Sequence, residues 1–206
     1  MHFLFEFAFF YFLTMEISSA IKKVYNHPLL QEEELATLES KHSSIKLEKG
    51  EFLMHEGKVA DSYFIIQSGL VRSFAHDNNL KEVTTGFFVP GEIAIVPISF
   101  FKGVPSQENL QAITSCTALC ISKQEFNQLF VSMEGLVAWG REWFAEQVFF
   151  FKQRSLDLAL LSASERYEKM FSMYPEVVKN APLKYIASYL GITDTSLSRI
   201  RKNTDL

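Results

Sequence analysis

The side chains best suited to binding chemistry lie near the end of the chain, in APLKYIASYLGITDTSLSRIRK, residues 181–202. Four of them recur at i, i+3, i+4 and i+7, the spacing of one helix face: Thr195, Ser198, Arg199 and Lys202. An arginine on such a face can donate two hydrogen bonds to guanine O6 and N7, and a nearby lysine can neutralise a phosphate. This face therefore predicts contact with nucleic acid.

The same segment predicts the two helices that would present this face. After Pro182, apolar residues recur at helical spacing: Leu183, Ile186, Ala187 and Leu190. Gly191 would end this helix with a positive φ, and Thr193 would cap a second helix. The small Ala187 would let the two helices approach closely, and three further apolar residues would face inward: Ile192, Leu197 and Ile200. Two helices joined by a short glycine turn form a helix-turn-helix, whose second helix fits the major groove.

The candidate DNA-binding residues differ in their expected roles. Arg199 suits guanine, Thr195 suits a thymine methyl group or a phosphate, and Asp194 could accept from the amino group of cytosine. Three basic side chains suit phosphates: Lys184, Arg201 and Lys202. Thr193 and Ser198 complete the set. The alternative interpretation is an αα-hairpin with a solvated polar face.

Composition places this unit on a globular, mildly acidic chain. The 206 residues have a mass of 23.6 kDa, and they are 48% hydrophobic and 21% charged, which excludes a disordered protein. Residues 179–206 carry a net charge of +3, whereas residues 1–178 carry −7. A basic end on an acidic body favours a polyanion contact confined to that end.

The two cysteines predict neither a disulfide framework nor a metal site. If Cys116 and Cys120 lie on one strand they are about 13 Å apart, too far to bridge. Neither belongs to a CxxC motif or a Cys/His box. The histidines at 2, 27, 42, 55 and 76 are too far apart for the His-x-His ligands of a cupin-type metalloenzyme. We therefore expect a reduced, cytoplasmic protein that is not an enzyme and holds no metal.

The opening MHFLFEFAFFYFLT, residues 1–14, is an apolar extension with two interpretations. It is too short to span a bilayer, which takes about 20 apolar residues, and it lacks the basic start of a signal peptide. One interpretation takes Met15 as the true start and residues 1–14 as untranslated. The other is an extension that packs on the body or on a partner. Residues 16–41 are predicted to form two helices separated by Pro28.

From Ser43 the pattern changes to short β-rich runs, with turns every 8–12 residues. Six of the nine glycines fall in this stretch: Gly50, Gly57, Gly69, Gly86, Gly91 and Gly103. Ser68-Gly69 and Asp77-Asn78-Asn79 are typical of hairpin turns. The spacing predicts a sandwich, a jelly roll or a small barrel.

Helices return after Ser122, a predicted N-cap. Residues 134–161 predict a long helix with two apolar sides. One side holds Leu136, Trp139, Trp143 and Phe150, and the other holds Val137, Phe144, Val148 and Phe151. Such a helix needs two partners, which predicts packing on its own β domain and on a second subunit. The alternative is a helix fully buried within one monomer.

A further helix is predicted over residues 162–173. Ser162 or Ser164 would cap it, Met170 and Phe171 would face inward, and Tyr174-Pro175 would end it. The chain thus divides into the extension 1–14, an effector domain 15–133, the long helix 134–161 and a helix-turn-helix domain 162–206.

Together these features resemble the Crp/Fnr family of bacterial transcription regulators, over about residues 16–202. The marks in the β-rich stretch are Glu56-Gly57, Asp61, Tyr63-Phe64-Ile65, Gly69, Val71-Arg72 and Gly91-Glu92. IASYLGITDTSLSRIRK matches the family's recognition unit. The resemblance implies an α+β protein with an N-terminal double-stranded β-helix (jelly roll) of the cyclic nucleotide-binding type. A long dimerisation helix and a C-terminal helix-turn-helix would follow.

The same resemblance implies a DNA-binding transcriptional regulator that senses an effector. Its implied partners are double-stranded DNA, a second copy of the chain, RNA polymerase and an unidentified small-molecule effector, with no membrane. The alternative function is a cyclic-nucleotide or other small-ligand-binding module without DNA binding, which would leave the helix-turn-helix without a role.

In cyclic-nucleotide-binding members the effector pocket opens with Gly-Glu and ends with an arginine for the cyclic phosphate. The opening is present here as Gly91-Glu92, but Ser106 stands at the arginine position and Gln107 follows it. Without a charged donor the strong hydrogen bonds to phosphate are lost. We therefore expect no cyclic-nucleotide cofactor, and a pocket that either takes another ligand or serves only as structure.

Other features of the family are expected to be absent. No cysteine precedes Cys116, which excludes the N-terminal iron–sulfur cluster of some members. His55 or His76 could in principle ligate haem, although isolated histidines near strand ends usually serve packing. No strand pair precedes the helix-turn-helix, so we expect it to lack a β wing.

Overall fold

The computed structural model describes residues 18–203, so the extension 1–14 lies outside the described residues. The helices are α1 (residues 18–24), α2 (Glu32–Lys41), α3 (Pro97–Lys102), α4 (Lys123–Ser132), α5 (Glu134–Leu160), α6 (Ala163–Met173), α7 (Pro175–Asn180), α8 (Leu183–Tyr189) and α9 (Asp194–Asn203). The strands are β1 (Ser43–Leu47), β2 (Phe52–Met54), β3 (Ser62–Ser68), β4 (Val71–His76), β5 (Glu82–Phe88), β6 (Ile93–Ala94), β7 (Asn109–Ala112) and β8 (Cys116–Ser122).

These strands form two four-stranded antiparallel sheets, ordered β1-β8-β3-β6 and β2-β7-β4-β5. Alternating apolar residues on their inner faces pack into one core: Phe64, Ile66, Val71, Leu110, Ala112 and Ala118. Consecutive strands often lie in different sheets, which is the arrangement of a jelly roll. The predicted β-roll and the α+β fold class are therefore confirmed.

One of the two predicted hairpin turns is confirmed. The Asp77–Asn79 turn joins β4 to β5, which pair antiparallel. The Asp77 carboxylate accepts hydrogen bonds from the backbone N–H groups of Asn79 at 2.8 Å and Lys81 at 3.0 Å.

The prediction of a hairpin at Ser68-Gly69 is wrong, because β3 and β4 belong to different sheets. Gly69 carries the chain from one sheet to the other with φ at +82°. A Cβ atom at this position would lie 2.3 Å from the carbonyl oxygen of Ser115. The glycine therefore marks a close crossing of the backbone rather than a tight turn.

Both cysteines lie on β8, and both are free. Cys116 is buried, Cys120 is half-buried, and both pack against the core between the sheets. Burial raises the pKa of each thiol, which disfavours the reactive thiolate.

The N-terminal helices and the start of α5 cover the outer side of the first sheet. Their apolar cluster contains Ile21, Tyr25, Leu38, Ile65, Ile121, Leu136 and Trp139. The indole N–H of Trp139 donates to the Val24 carbonyl oxygen at 2.8 Å, satisfying a buried polar group. This contact anchors α5 to the β-roll.

Helix α5 has the two apolar sides that the sequence predicts. Leu136 and Trp139 are buried, whereas Val148 is 63% exposed and Phe149 73% exposed. The alternative of a helix fully buried within one monomer is therefore wrong. No helix among residues 18–203 is both long and apolar enough to cross a membrane.

Helix α6 begins where the sequence predicts, and a further helix follows it directly. Ser162 Oγ accepts from the Glu165 N–H at 3.3 Å, and the Glu165 carboxylate accepts from the Ser162 N–H at 2.8 Å. The Tyr174-Pro175 pair ends α6 as predicted, but Pro175 also begins α7, which the sequence pattern does not indicate. A proline at the first helical position costs nothing, because its missing N–H would be unpaired there anyway.

We expect Gly69→Ala to destabilise the protein more than Gly57→Ala. Gly57 has a similar φ of +80°, but a Cβ atom added there would meet nothing within 4 Å, so it is a matched control for backbone strain. The strain should cost about 1–2 kcal/mol at either site. The clash at Gly69 should add about 1–3 kcal/mol. Urea unfolding measures both, and equal losses would contradict the close crossing.

Candidate nucleic-acid interface and ligand cavity

The turn between α8 and α9 has the geometry that its residues predict. Gly191 has φ at +69°, and the N–H of Ile192 donates to the Ala187 carbonyl oxygen at 3.0 Å. This bond closes the end of α8. Thr193 Oγ1 accepts from the Ser196 N–H at 3.2 Å, which confirms Thr193 as the cap of α9.

Most of the apolar residues predicted to face inward do so. Ile186, Ala187, Leu190 and Leu197 are buried, and Ile192 and Ile200 are half-buried. Leu183 is 37% exposed, so its assignment to the inner face is wrong. The apolar cluster that receives α8 begins one turn later, at Ile186.

All the predicted DNA-contacting side chains are exposed: Lys184, Thr193, Asp194, Thr195, Ser198, Arg199, Arg201 and Lys202. The hydroxyl groups are engaged locally. Ser198 Oγ donates to the Asp194 carbonyl oxygen at 2.9 Å, and the hydroxyls of Thr193 and Thr195 are 2.9 Å apart. Among residues 18–203 no ion pair involves a basic residue of α9. No carboxylate of the described residues therefore competes for the positive charges of α9. The C-terminal domain, up to residue 203, contains no strand.

Helix α8 packs against the outer face of the second sheet, a contact that sequence reasoning missed. The Arg72 guanidinium on β4 lies 4.0 Å from the ring centroid of Phe74 and 3.5 Å from that of Tyr185 on α8. Arg72 is 1% exposed, and its Nη2 donates to Glu82 at 2.6 Å and to Gln111 at 2.9 Å. Cation–π contacts of this kind gain strength when desolvated.

Two further contacts extend the docking of α8. The Thr84 N–H on β5 donates to Ser188 Oγ at 3.0 Å, and the rings of Phe87 and Tyr189 lie 5.3 Å apart. In the sequence, Val71-Arg72 is only a mark of family resemblance. A signal is present nonetheless: an arginine between the apolar residues of a short strand needs a polar or aromatic partner if it is buried.

A cavity of about 660 Å³ opens beside this contact. Its walls come from α1, β5, β6, α5 and the ends of α6 and α8. Aromatic rings form much of the lining: Phe87, Trp143, Phe150, Phe151, Tyr174 and Tyr189. The polar lining includes Lys23, Glu92, Glu108, Glu146, Gln147 and Arg154. Small-molecule sites have this size and combine apolar walls with polar groups.

The four predicted effector residues divide into two pairs. Gly91 and Glu92 line the cavity, whereas Ser106 and Gln107 do not. Ser106 is buried, and its Oγ donates to the Glu108 carbonyl oxygen at 2.6 Å and accepts from the Glu108 N–H at 3.0 Å. Ser106, which stands where cyclic-nucleotide-binding members have the arginine, thus stabilises its own loop.

Glu92 links the cavity to the C-terminal domain. Its carboxylate accepts from the Val89 N–H at 3.0 Å and from the hydroxyl of Tyr174, which follows α6. Burial raises the pKa of Glu92, an effect larger than the opposite effect of these two hydrogen bonds. The pKa of Tyr174 is also raised, by burial and by the nearby Glu92 charge.

Two cations reach the cavity from outside the loop that holds Ser106 and Gln107. The side chain of Lys23 on α1 passes close to Gly91. A Cβ atom added to Gly91 would lie 2.8 Å from Lys23 Nζ. Arg154 extends from α5, and its Nη1 donates to the Thr85 carbonyl oxygen at 2.5 Å. Neither residue belongs to a recognisable motif, so only the folded chain shows that they share a site.

The two histidines that could in principle ligate haem have other contacts. His76 Nδ1 lies 2.8 Å from Glu56 Oε2, and the His55 ring stacks on Phe52 at 4.3 Å. Within the described ranges, no cluster of three or more His, Cys, Asp or Glu side chains could hold a metal ion.

A comparison with known protein families matches residues 44–132 to the cyclic nucleotide-binding domain family. The matched segment runs from β1 to the end of α4 and contains both sheets. Residues 44–132 are thus similar to a cyclic nucleotide-binding domain. A search of curated proteins found no match to the chain.

Solved structures extend the likeness beyond the cyclic nucleotide-binding domain. The c-di-GMP responsive regulator CLP of Xanthomonas campestris is 18% identical with a TM-score of 0.65, covering 84% of this chain and 91% of CLP. Thermus thermophilus catabolite activator protein is 17% identical with a TM-score of 0.54, covering 84% and 83%. FixK2 of Bradyrhizobium japonicum is 17% identical with a TM-score of 0.64, covering 79% and 83%. The chain has the fold of these Crp/Fnr regulators.

We expect Glu92→Gln to stabilise the protein at pH 8 and to have a much smaller effect at pH 4. The pKa of Glu92 is raised in the folded state. The free energy of unfolding therefore falls as the pH rises from about 4.3, the ordinary pKa of a glutamate, to values above the raised pKa. Glutamine keeps an acceptor for the Val89 N–H but carries no charge. Urea unfolding at both pH values measures the difference, and an equal effect at both would contradict a costly buried charge.

Proposed function

We propose that the protein is a DNA-binding transcriptional regulator of the Crp/Fnr type that senses a small molecule in its β-roll. The observation that carries this proposal is the outer face of α9. It presents Thr195, Ser198, Arg199 and Lys202 on a capped helix that a second helix holds outward. Such a face fits the major groove, with Arg199 positioned for a base edge and Lys202 for a phosphate.

The proposal is that of a regulator rather than an enzyme, acting in the cytoplasm, with RNA polymerase as a further partner. The alternative remains a small-ligand-binding module without DNA function. The cavity alone would suit either function. A module of that kind would leave the exposed basic residues of α9 without a ligand, so DNA binding separates the two.

The proposal includes a homodimer formed along the second half of α5. Exposed apolar residues follow one side of this helix: Phe144, Val148, Phe151 and Leu158, with Phe149 beside them. Soluble monomers rarely expose a contiguous apolar patch of this kind. A second copy of the same helix would cover it in a two-fold dimer, and the two α9 helices would then read half-sites about 10 bp apart.

We expect Val148→Glu to weaken the dimer and Val131→Glu to leave it intact. Val131 on α4 is 89% exposed and lies outside the α5 stripe, so the two variants carry the same change on different surfaces. In a symmetric interface each subunit would bury one new glutamate. This should raise the dimer dissociation constant tenfold or more, a loss of about 1.4 kcal/mol or above in binding free energy. Analytical ultracentrifugation measures this constant. A wild-type protein that stays monomeric at micromolar concentration would contradict the dimer.

For DNA binding, we expect Arg199→Ala and Lys202→Ala to differ in kind. Arg199→Ala should cost about 1–3 kcal/mol on the specific site and relax the preference at one base pair per half-site. Lys202→Ala should weaken specific and non-specific binding alike and lower the salt slope by about 1 per subunit.

Titrations of both variants against specific and scrambled duplexes, across a salt series, test these expectations. The specific duplex comes from genome-wide mapping of bound sites. If Arg199→Ala weakens both duplexes equally, Arg199 contacts phosphate and base reading passes to Asp194, Thr195 and Ser198. If the wild-type protein binds no duplex, the alternative function replaces the proposed one.

A further inference from the structure

Two tyrosines and a histidine form a buried polar cluster beneath the N-terminal helices. Tyr25 lies just after α1, His42 directly follows α2, and Tyr63 lies on β3. The Tyr25 hydroxyl is hydrogen-bonded to the Tyr63 hydroxyl and lies 3.1 Å from His42 Nε2. His42 Nδ1 lies 2.7 Å from the Leu38 carbonyl oxygen. All three side chains are buried, so the cluster joins both helices to the first sheet away from solvent.

The partners fix the position of every proton in this cluster. The Leu38 carbonyl can only accept, so the neutral imidazole of His42 carries its proton on Nδ1. His42 Nε2 then accepts from the Tyr25 hydroxyl, and the Tyr25 oxygen accepts from the Tyr63 hydroxyl. Each donor has one acceptor, an arrangement that suits the uncharged histidine alone.

A second proton on His42 would disrupt this order. The imidazolium has an N–H at both nitrogens, so the Tyr25 oxygen would have to accept from Nε2. One of the two tyrosine hydroxyl protons would then lose its acceptor, because residues 18–203 offer these hydroxyls no other hydrogen-bond partner. Protonation would thus leave a buried donor unpaired and place a charge in an apolar site, and both carry a cost in free energy.

One carboxylate acts on His42 in addition to the two tyrosines, that of Glu125 on α4. From α5 the cluster meets an uncharged indole, that of Trp139 against Tyr25. Burial lowers the pKa of His42, an effect larger than the opposite effects of its backbone hydrogen bond and of the Glu125 charge. The folded state therefore loses stability as the pH falls from about 6.5, the ordinary pKa of a histidine, through the lowered pKa.

The N-terminal helices can leave without disrupting the β-roll, because they pack on a separate apolar cluster. That cluster includes Ile21, Leu38 and Trp139 on the outer side of the first sheet, whereas Ile66 and Leu110 belong to the core between the sheets. We propose that Tyr25, His42 and Tyr63 form an acid-sensitive latch: protonation of His42 releases α1 and α2 from the first sheet while the sheets stay folded. The latch operates whether or not the chain binds DNA.

The other histidine of the N-terminal segment acts in the opposite sense. His27 Nε2 lies 3.4 Å from Glu142 Oε1 on α5, so protonation of His27 would strengthen this contact. Release at acid pH therefore cannot come from His27. His27→Gln is accordingly the matched control for His42→Gln, since it makes the same change in the same segment.

The release is tested by amide hydrogen exchange of the full chain at pH 7.5 and pH 5.5. Exchange is expressed as protection factors, so that the intrinsic pH dependence of the chemistry cancels. Protection of α1 and α2 should fall about fivefold or more at pH 5.5 in the wild type and in His27→Gln, whereas β3 and β8 should keep theirs. Glutamine offers a donor and an acceptor but does not titrate, so in His42→Gln the fall should stay below about twofold.

A second variant tests the latch if His42→Gln fails to fold. Glu125→Gln keeps an acceptor for the Ser122 hydroxyl but removes the charge that favours protonation of His42, so release should require a lower pH. The fluorescence of Trp139 and Trp143 follows the midpoint, because the Trp139 ring packs on Tyr25 and stacks on Trp143.

Three results would overturn the latch. The first is a wild-type protein whose helices α1 and α2 keep their protection at pH 5.5, or lose it only together with the strands. The second is a folded His42→Gln that responds to pH as the wild type does. The third is a Glu125→Gln midpoint that stays in place or moves to higher pH.

Discussion

The docking of α8 on the β-roll depends on one buried guanidinium, that of Arg72. Glu82, Gln111 and the faces of Phe74 and Tyr185 compensate part of the cost of removing this charge from water. Within the described chain its Nη1 has no hydrogen-bond partner, and neither has Thr84 Oγ1 in the same contact. Undocking would return both groups to water, which opposes the apolar gain. These two unsatisfied groups therefore offset part of the free energy gained by docking α8.

The cavity lies at the edge of this contact, and α8 contributes to its wall through Tyr189. Tyr174 and Tyr189 belong to the C-terminal domain, whereas Glu92 and Phe87 belong to the β-roll. Removal of α8 would open one wall of the cavity to solvent. A ligand that bound in this cavity would therefore be coupled to the position of α8, since linkage between two equilibria is reciprocal.

Local chemistry is predictable from the sequence, whereas partners distant in the chain are not. Ser122, Ser162 and Thr193 cap their helices because a hydroxyl and the N–H three residues later are fixed by the backbone itself. The hairpin predicted at Gly69 is wrong. A glycine in the sequence indicates that a positive φ is possible, but it does not indicate which sheet the next strand joins. The meeting of Arg72 with Tyr185, more than one hundred residues apart, depends on the whole topology. The same holds for Arg154 and Lys23, which reach one cavity from helices more than one hundred residues apart in the chain.

Helix α5 connects these parts because its two faces have different partners. Trp143, Phe150 and Arg154 recur at i, i+7 and i+11 and face the cavity. Phe144 and Val148 are exposed on another face. The buried first turns, fixed by Trp139, prevent the helix from rotating independently of the β-roll. Any movement of its second half would displace the cavity lining and the exposed stripe together, because both belong to one continuous helix of 27 residues. The geometry of a subunit interface on that stripe would thus depend on what the cavity holds.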